Sequence, residues 1–156
     1  MALAATALAG CATYSDRLLR ASQAASGGNY VGAVAEMNDV IGVGSADQLP
    51  NNWKADGGLA VLERGVLQQS LQRYRDAARD LSAAEQELEL LDLKLDPVGA
   101  LGRYLYSDSY QPYKTPPSER LALNPINLLN YLAVGDVDGA AVEARRFQVM
   151  REYLQS

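Results

Sequence analysis

The chain has 156 residues, of which 48% are hydrophobic and 21% charged, a balance typical of one globular domain. The net charge of −5 argues against nucleic-acid binding, which requires a basic face. There is no histidine and only one cysteine, so the chain lacks the commonest catalytic base and cannot form an intrachain disulfide.

The N-terminus resembles a bacterial targeting signal. Residues 1–10 form a short apolar run that ends in small residues, as a secretory signal peptide does. Leu8-Ala9-Gly10-Cys11 resembles the lipobox, in which the peptide is cut before the cysteine and the cysteine is acylated. The resemblance implies a signal peptide over 1–10 and acyl chains such as palmitate on Cys11. Because Ala12 is not Asp, it also implies the periplasmic face of the outer membrane.

Residues 1–10 contain no Lys or Arg, although a signal peptide normally begins with positive charge. We therefore expect the signal peptide to be truncated at its N-terminus. The alternative is an ordinary apolar first helix with a buried, free Cys11. Two or more acyl chains would anchor the protein stably to a membrane.

Residues 13–41 predict two helices with a break between them. Leu18, Ala21 and Ala25 share one helical face, and Gly27-Gly28-Asn29 ends that helix. Residues 42–52 have a loop composition, and their Gly-x-Gly lacks the third glycine of a dinucleotide fingerprint, so we expect no nucleotide cofactor. The second helix carries apolar residues at helical spacing, namely Tyr30, Ala33, Val34, Met37, Val40 and Ile41.

The pattern is helical from about Trp53 to Asp92, which is long for one helix of a small domain. We expect a helix pair broken near Gln72 rather than a single rod. The predicted inner face of the first helix consists of Leu59, Leu62, Val66, Leu67 and Leu71. That of the second consists of Tyr74, Ala77, Ala78, Leu81, Ala84, Leu88 and Leu91.

A tyrosine- and proline-rich segment follows. Asp96-Pro97 ends the preceding helix, and a short helix is predicted from Val98 to about Tyr106. Residues 107–117 hold three prolines and cannot be regular helix. Tyrosine and proline form rigid amphipathic contact surfaces, so this segment is a candidate partner-binding site. The alternative is a loop packed across helix ends. The candidate residues are Tyr104, Tyr106, Tyr110 and Tyr113.

The last part of the chain predicts a helical hairpin. Its first helix starts at Glu119, with Ser118 as cap, and is either kinked at Pro125 or restarted there with Asn124 as cap. Gly135 ends this helix, and Asp136 or Asp138 caps the next one. The predicted inner face of the first helix consists of Leu128, Leu129, Leu132 and Ala133.

Charged residues in the last helix suggest a further site. Glu143, Arg145 and Arg146 are a candidate clamp for a peptide carboxylate, since arginine binds carboxylates bidentately. The alternative is an ion pair that holds the loop or a neighbouring helix. Asp136-x-Asp138 is like the start of a calcium loop, but Ala140 and Phe147 stand where further ligands are required, so we expect no metal.

Three turns share one form, and it resembles the turn within a tetratricopeptide repeat. They are Gly28-Asn29-Tyr30-x-x-Ala33, Gln72-Arg73-Tyr74-x-x-Ala77 and Gly135-Asp136-Val137-x-x-Ala140. A regular array of these repeats has a period of about 34 residues. The three turns here are further apart than that, which indicates insertions between the repeats. With Tyr110-x-x-Tyr113 and Ser118-Glu119-Arg120, the C-terminal third also resembles a poorly characterised family of bacterial lipoproteins with such repeats.

The resemblance implies an all-α fold, a short α-solenoid of antiparallel helix pairs forming one domain over 11–156. It transfers no catalytic residue. The predicted function is a lipid-anchored scaffold that docks a protein or peptide partner in a groove, without catalysis, cofactor or nucleic acid. One alternative is a structural subunit of a larger envelope or secretion assembly. Another is a cell-wall-acting enzyme that uses paired carboxylates. The oligomeric state is left open.

Overall fold

The computed structural model describes residues 14–53, 56–94 and 117–155, which form six helices and no strand. Consecutive helices pack against one another in chain order. The predicted all-α fold of stacked helix pairs is therefore confirmed. The helices are α1 Tyr14–Ser26, α2 Tyr30–Ile41, α3 Gly57–Ser70, α4 Tyr74–Lys94, α5 Pro117–Ala133 and α6 Val137–Gln155.

The three hairpins α1–α2, α3–α4 and α5–α6 share one turn geometry. Two residues before each second helix, the backbone adopts the left-handed conformation, at Gly28 (φ 79°), Gln72 (φ 59°) and Gly135 (φ 79°). The next residue donates its N–H to a carbonyl five residues back, at 2.9 Å in all three turns. The three predicted turns are thus confirmed, including the one without glycine.

Side chains cap two of the second helices. Asn29 Oδ1 accepts the Gly32 N–H at 2.9 Å, and Asp136 Oδ1 accepts the Gly139 N–H at 2.8 Å. Each bond satisfies one N–H that has no partner within its own helix. Of the two predicted candidates, Asp136 is therefore the residue whose side chain is seen to cap α6.

The first two hairpins share an apolar core. Two glycines of α3 let α4 approach closely. A Cβ on Gly65 would lie 2.9 Å from Leu81 Cδ2, and one on Gly58 would lie 3.1 Å from Leu88 Cδ2. The buried core cluster consists of Ala21, Met37, Ile41, Ala60, Val61 and Ala84.

An ion pair lies buried beside this core. Arg64 and Asp80 are both inaccessible to solvent and bind bidentately, with Nε–Oδ2 at 2.7 Å and Nη2–Oδ1 at 3.0 Å. Arg64 also donates to Asn38 Oδ1 of α2 at 2.9 Å and to the Gln48 carbonyl at 2.7 Å. Gln68 donates to the Asp80 carboxylate. One guanidinium therefore joins α2, α3, α4 and the loop after α2.

Arg79 holds the same loop from its outer side. Its guanidinium donates to the carbonyls of Ala46 and Asp47 and to the Asp80 carboxylate. Three successive loop carbonyls, at residues 46–48, thus face two arginines. The loop has no regular secondary structure, and these bonds fix its position.

The predicted inner face of α3 is only partly correct. Val66 is exposed, and Leu62 and Leu67 are only partly buried against the core. Hydrophobic periodicity missed the true face because Arg64 and Gln68 are buried through a partner on another helix, Asp80. The buried residues of α3 are Gly58, Ala60, Val61, Arg64, Gly65 and Gln68.

The predicted inner face of α5 is wrong. Leu129 and Leu132 are 59% and 50% exposed. The helix instead buries Leu123 and three asparagines, whose amides can be satisfied only by polar partners elsewhere in the chain. These are Asn124, Asn127 and Asn130. By contrast, the predicted faces of α2 and α4 are confirmed at Ala33, Val34, Met37 and Ile41 and at Ala77, Ala78, Leu81, Ala84 and Leu88.

Helix α5 runs through Pro125 without a restart. It begins at Pro117, two residues before the predicted start, and Asn124 uses its side chain elsewhere. The predicted helix from Val98 to Tyr106 lies outside the described residues. Within the described ranges, no helix combines the length and apolar character needed to cross a membrane.

Replacing Gln72 with Gly is expected to stabilise the protein. A non-glycine residue in the left-handed conformation costs about 1–2 kcal/mol. Glycine avoids this cost, but it also makes the unfolded chain more flexible, which cancels part of the gain in stability. We expect the free energy of unfolding in urea to rise by about 0.5–1 kcal/mol.

Gly28→Ala and Gly135→Ala are the matched controls. A Cβ at either position meets no atom within 4 Å, so any loss there is conformational. Both should lower the free energy of unfolding by about 1 kcal/mol. A Gln72→Gly variant less stable than the wild type would contradict the shared turn geometry.

Candidate functional site

A polar cleft of about 510 Å³ separates α4 from α6, and α5 contributes to its wall. This volume falls in the range of about 300–1,000 Å³ that small-ligand sites occupy. Helices α4 and α6 each pack against α5, and the cleft is the space between them. The described lining residues with polar side chains are Ser82, Glu85, Gln86, Tyr131, Glu143 and Arg146.

The base of the cleft is a hydrogen-bond network centred on Glu143. Its carboxylate is 2% exposed and accepts from Asn124 Nδ2 at 3.0 Å and from Asn127 Nδ2 at 3.3 Å. Asn124 Nδ2 also donates to Glu85 Oε1 at 2.9 Å. Two carboxylates from α4 and α6 are thus joined through one amide of α5. The network fixes the positions of all three helices around the cleft.

Tyr131 forms one end of the cleft. A Cβ on Gly139 would lie only 2.6 Å from Cδ1 of the Tyr131 ring, so the ring packs over the start of α6 where no side chain stands. The Tyr131 hydroxyl lies 3.1 Å from Ser82 Oγ, which in turn accepts from Asn127 Nδ2 at 3.0 Å. Gly139 therefore serves close approach rather than an unusual backbone conformation.

Arg146 bridges the cleft from α6 to α4. Its Nη1 donates to Glu85 Oε2 at 2.5 Å and lies 3.5 Å from Glu143 Oε1. The side chain is 50% exposed. Of the predicted clamp, Glu143 and Arg146 thus lie together at the cleft, whereas Arg145 is exposed and its Nε donates to Ala141 O within α6. The sequence offered two interpretations of Arg146, a clamp for a peptide carboxylate or an ion pair to a neighbouring helix. In the structure Arg146 makes such an ion pair, with Glu85 of α4.

The other predicted partner-binding residues, Tyr104, Tyr106, Tyr110 and Tyr113, lie outside the described residues. Cys11 does so as well. Sequence reasoning missed the residues that shape the cleft, chiefly Asn124, Asn127 and Tyr131. Their signal was the spacing of asparagines three apart within a helical segment, at 124, 127 and 130. That spacing places polar side chains on one helical face.

The described ranges contain other cavities as well. A second cavity of about 520 Å³ is lined by Ile41 and by loop residues 42–44 and 48–52, with no charged side chain among them. In the same ranges, no group of three or more histidine, cysteine, aspartate or glutamate residues could hold a metal ion. Of these two cavities, the cleft is the one with charged side chains in its described lining.

Comparison of the chain with protein-family models, with curated proteins and with solved structures finds no match. The tetratricopeptide lipoprotein resemblance stays a prediction that rests on the residues quoted for it.

Glu143→Gln is expected to lower the free energy of unfolding by about 2 kcal/mol. Each carboxylate oxygen accepts from a different asparagine amide, so a glutamine would turn an N–H₂ group toward one of the two donors. Urea denaturation at pH 7 measures the change.

Glu152→Gln is the matched control, because Glu152 is an exposed carboxylate on the same helix. It should change the free energy of unfolding by less than about 0.5 kcal/mol. Equal effects of the two variants would show that the cleft network does not hold the helices together.

Proposed function

We propose that this chain is a lipid-anchored docking protein of a bacterial envelope, which binds a protein or peptide partner in the cleft between α4 and α6 and catalyses no reaction. The observation that carries the proposal is the cleft itself. It is concave, polar and framed by three helices whose positions a buried network fixes. Preorganised sites lose less entropy on binding, which favours affinity.

Stacked helix pairs support the same proposal. Repeat folds of this kind have extended surfaces that bind other chains. In the cleft, Val142 supplies an apolar contact beside the polar groups. The cleft combines one apolar side chain with hydroxyls and charges. This mixture suits a peptide, which offers both main-chain amides and side chains.

The two carboxylates of the cleft also invite comparison with a glycoside hydrolase, which uses such a pair. Glu143, however, is 2% exposed, and both its oxygens accept asparagine amides. A catalytic carboxyl must reach the substrate to give or take a proton. Glu143 has no exposed face for that transfer, so the geometry favours docking over hydrolysis.

Arginine at position 142 is expected to abolish docking. Val142 lines the cleft and is 43% exposed, so Val142→Arg fills the cleft with little effect on stability. We expect capture of the partner from detergent-solubilised membranes to fall by about tenfold or more.

Val149→Arg is the matched control. Val149 is 67% exposed, lies two turns further along the same helix and is not among the described residues that line the cleft. Capture should be as strong as with the wild type. If Val149→Arg abolished capture and Val142→Arg did not, the partner would bind elsewhere.

A lipid anchor at Cys11 is part of the proposal, and its support is the lipobox-like Leu8-Ala9-Gly10-Cys11. Cys11→Ser removes the only acylation site of this type. We expect the variant to move from the membrane fraction to the soluble fraction, as shown by fractionation and by loss of radiolabelled palmitate. A wild-type chain that is membrane-bound but carries no acyl group would contradict the anchor.

A second candidate function is that of a structural subunit that associates through its own helices. Exposed apolar side chains at the α5–α6 hairpin favour it, namely Leu129, Leu132 and Val137. Among the described side chains of α3 and α4, by contrast, Val66 is the one large hydrophobic residue that is exposed. The combined change Leu129→Glu and Leu132→Glu would lower the mass measured in solution if this surface joins copies.

A further inference from the structure

The connection between α2 and α3 is longer than a helix hairpin requires. It covers residues 42–56, whereas the turns within the three hairpins take three residues each. Connections of about 12–15 residues or more without regular secondary structure are uncommon in compact domains, and those that are ordered are usually functional. Arg64 and Arg79 hold this one in place by donating to the carbonyls of residues 46–48. Loops fixed on a rigid scaffold in this way commonly carry binding sites.

Hydrogen bonds within the loop give it a defined shape. Gly42 ends α2 in the left-handed conformation, with φ 82°. The Gly44 N–H donates to Gln48 Oε1 at 3.1 Å, and the Gln48 N–H donates to the Ser45 carbonyl at 3.2 Å. Between this loop and the end of α2 lies the cavity of about 520 Å³, here called the loop cavity. The site is therefore preformed, so little entropy is lost when a ligand binds.

The described lining of the loop cavity is apolar on one part and carries amides on another, without a charged side chain. Val43, Leu49 and Pro50 are half-buried, so each leaves part of its surface open to a ligand. Asn51 and Asn52 are exposed and also line the cavity. A charged ligand group would lose its water here without gaining a counter-ion. The cavity therefore suits an uncharged ligand with an apolar part.

The amides of Asn51 and Asn52 are available to a ligand. Within the described residues, neither the side chain nor the main-chain N–H of Asn51 or Asn52 makes a hydrogen bond. An asparagine side chain offers two donors and an acceptor, and a peptide group needs one donor and one acceptor. An extended peptide can therefore pair with these groups while one of its side chains enters the apolar part. In such sites main-chain bonds give affinity and the side-chain pocket gives specificity.

We infer that the loop cavity binds an extended peptide segment that carries an uncharged aliphatic side chain. That side chain packs against Val43, Leu49 and Pro50, and the flanking peptide groups bond to Asn51 and Asn52. A carbohydrate would leave the aliphatic surface poorly used, because its own surface is mostly hydroxyl. The inference goes beyond docking in the cleft between α4 and α6, since the two cavities share no described lining residue.

Titration of the ¹⁵N-labelled protein with capped tripeptides tests the inference. N-acetyl-Ala-Leu-Ala amide should shift the backbone amide resonances of Gly42, Gly44 and Asn51 in a saturable way. It should leave those of Gly139 and Val142, which line the cleft, unchanged. The tripeptides with Gly or Glu in place of Leu should bind at least about fivefold more weakly, because one lacks the aliphatic group and the other adds a charge.

A double variant tests the two asparagines. Asn51→Ala with Asn52→Ala removes both side-chain amides from exposed positions, so the fold should be kept, as the ¹⁵N spectrum reports. Affinity for the leucine tripeptide should fall by about three- to tenfold. Gln86→Ala is the matched control, because Gln86 is an exposed amide that lines the cleft and not the loop cavity. It should leave that affinity unchanged.

The inference is overturned if the glutamate tripeptide binds as tightly as the leucine tripeptide, or if maltose shifts the loop amides and the leucine tripeptide does not. Shifts confined to the cleft amides would also overturn it. The proposed docking in the cleft is tested separately, by partner capture with Val142→Arg. A leucine tripeptide that binds at Gly44 while capture is independent of Val142 would support this inference and contradict the proposed docking site.

Discussion

The buried ion pair between Arg64 and Asp80 is the interaction on which the rest of the structure depends. It joins α2, α3, α4 and the loop after α2 at one point. Taking two charges out of water is costly, and the cost is recovered only with excellent geometry and full hydrogen bonding. Arg64 has both, and Gln68 and Arg79 satisfy further acceptor sites of Asp80. Loss of one member of such a pair typically costs about 3–5 kcal/mol.

Helix α4 contributes acceptors to both polar networks. Asp80 faces α3, while Ser82 and Glu85 face the α5–α6 hairpin. The first network lies within the α3–α4 pair and reaches α2, and the second joins α4 to the α5–α6 pair. Polar contacts of this kind are directional, so they fix the relative rotation of the helices more closely than apolar packing does. The cleft keeps its shape because α4, α5 and α6 are joined in this way.

The sequence predicted the turns well and two of the helix faces poorly. Turns are local: Gly28 and Gly135 mark the left-handed positions, and Asn29 and Asp136 mark the caps. At Gln72 the repeat pattern alone predicted the turn, and the backbone there adopts the same conformation.

The faces of α3 and α5 depend on partners far along the chain. Arg64 is buried because Asp80 lies opposite it, and Asn124 is buried because Glu85 and Glu143 do. A periodicity of apolar residues cannot register such pairs, so it assigned Leu129 and Leu132 to the core. The sequence did not predict the cleft for the same reason, because its walls are joined by side chains that lie far apart along the chain. Glu143 and Arg146 were singled out by residue type. Glu85, which pairs with Arg146 and shares the Asn124 amide with Glu143, was known only from the structure.

The central claim is that the cleft between α4 and α6 is where this protein meets its partner. A photoreactive amino acid placed at position 142 or at position 149 of the full chain in living cells tests it most directly. The account predicts a covalent adduct of defined mass from position 142 and none from position 149. Adducts of equal yield from both positions, or from position 149 alone, would contradict it.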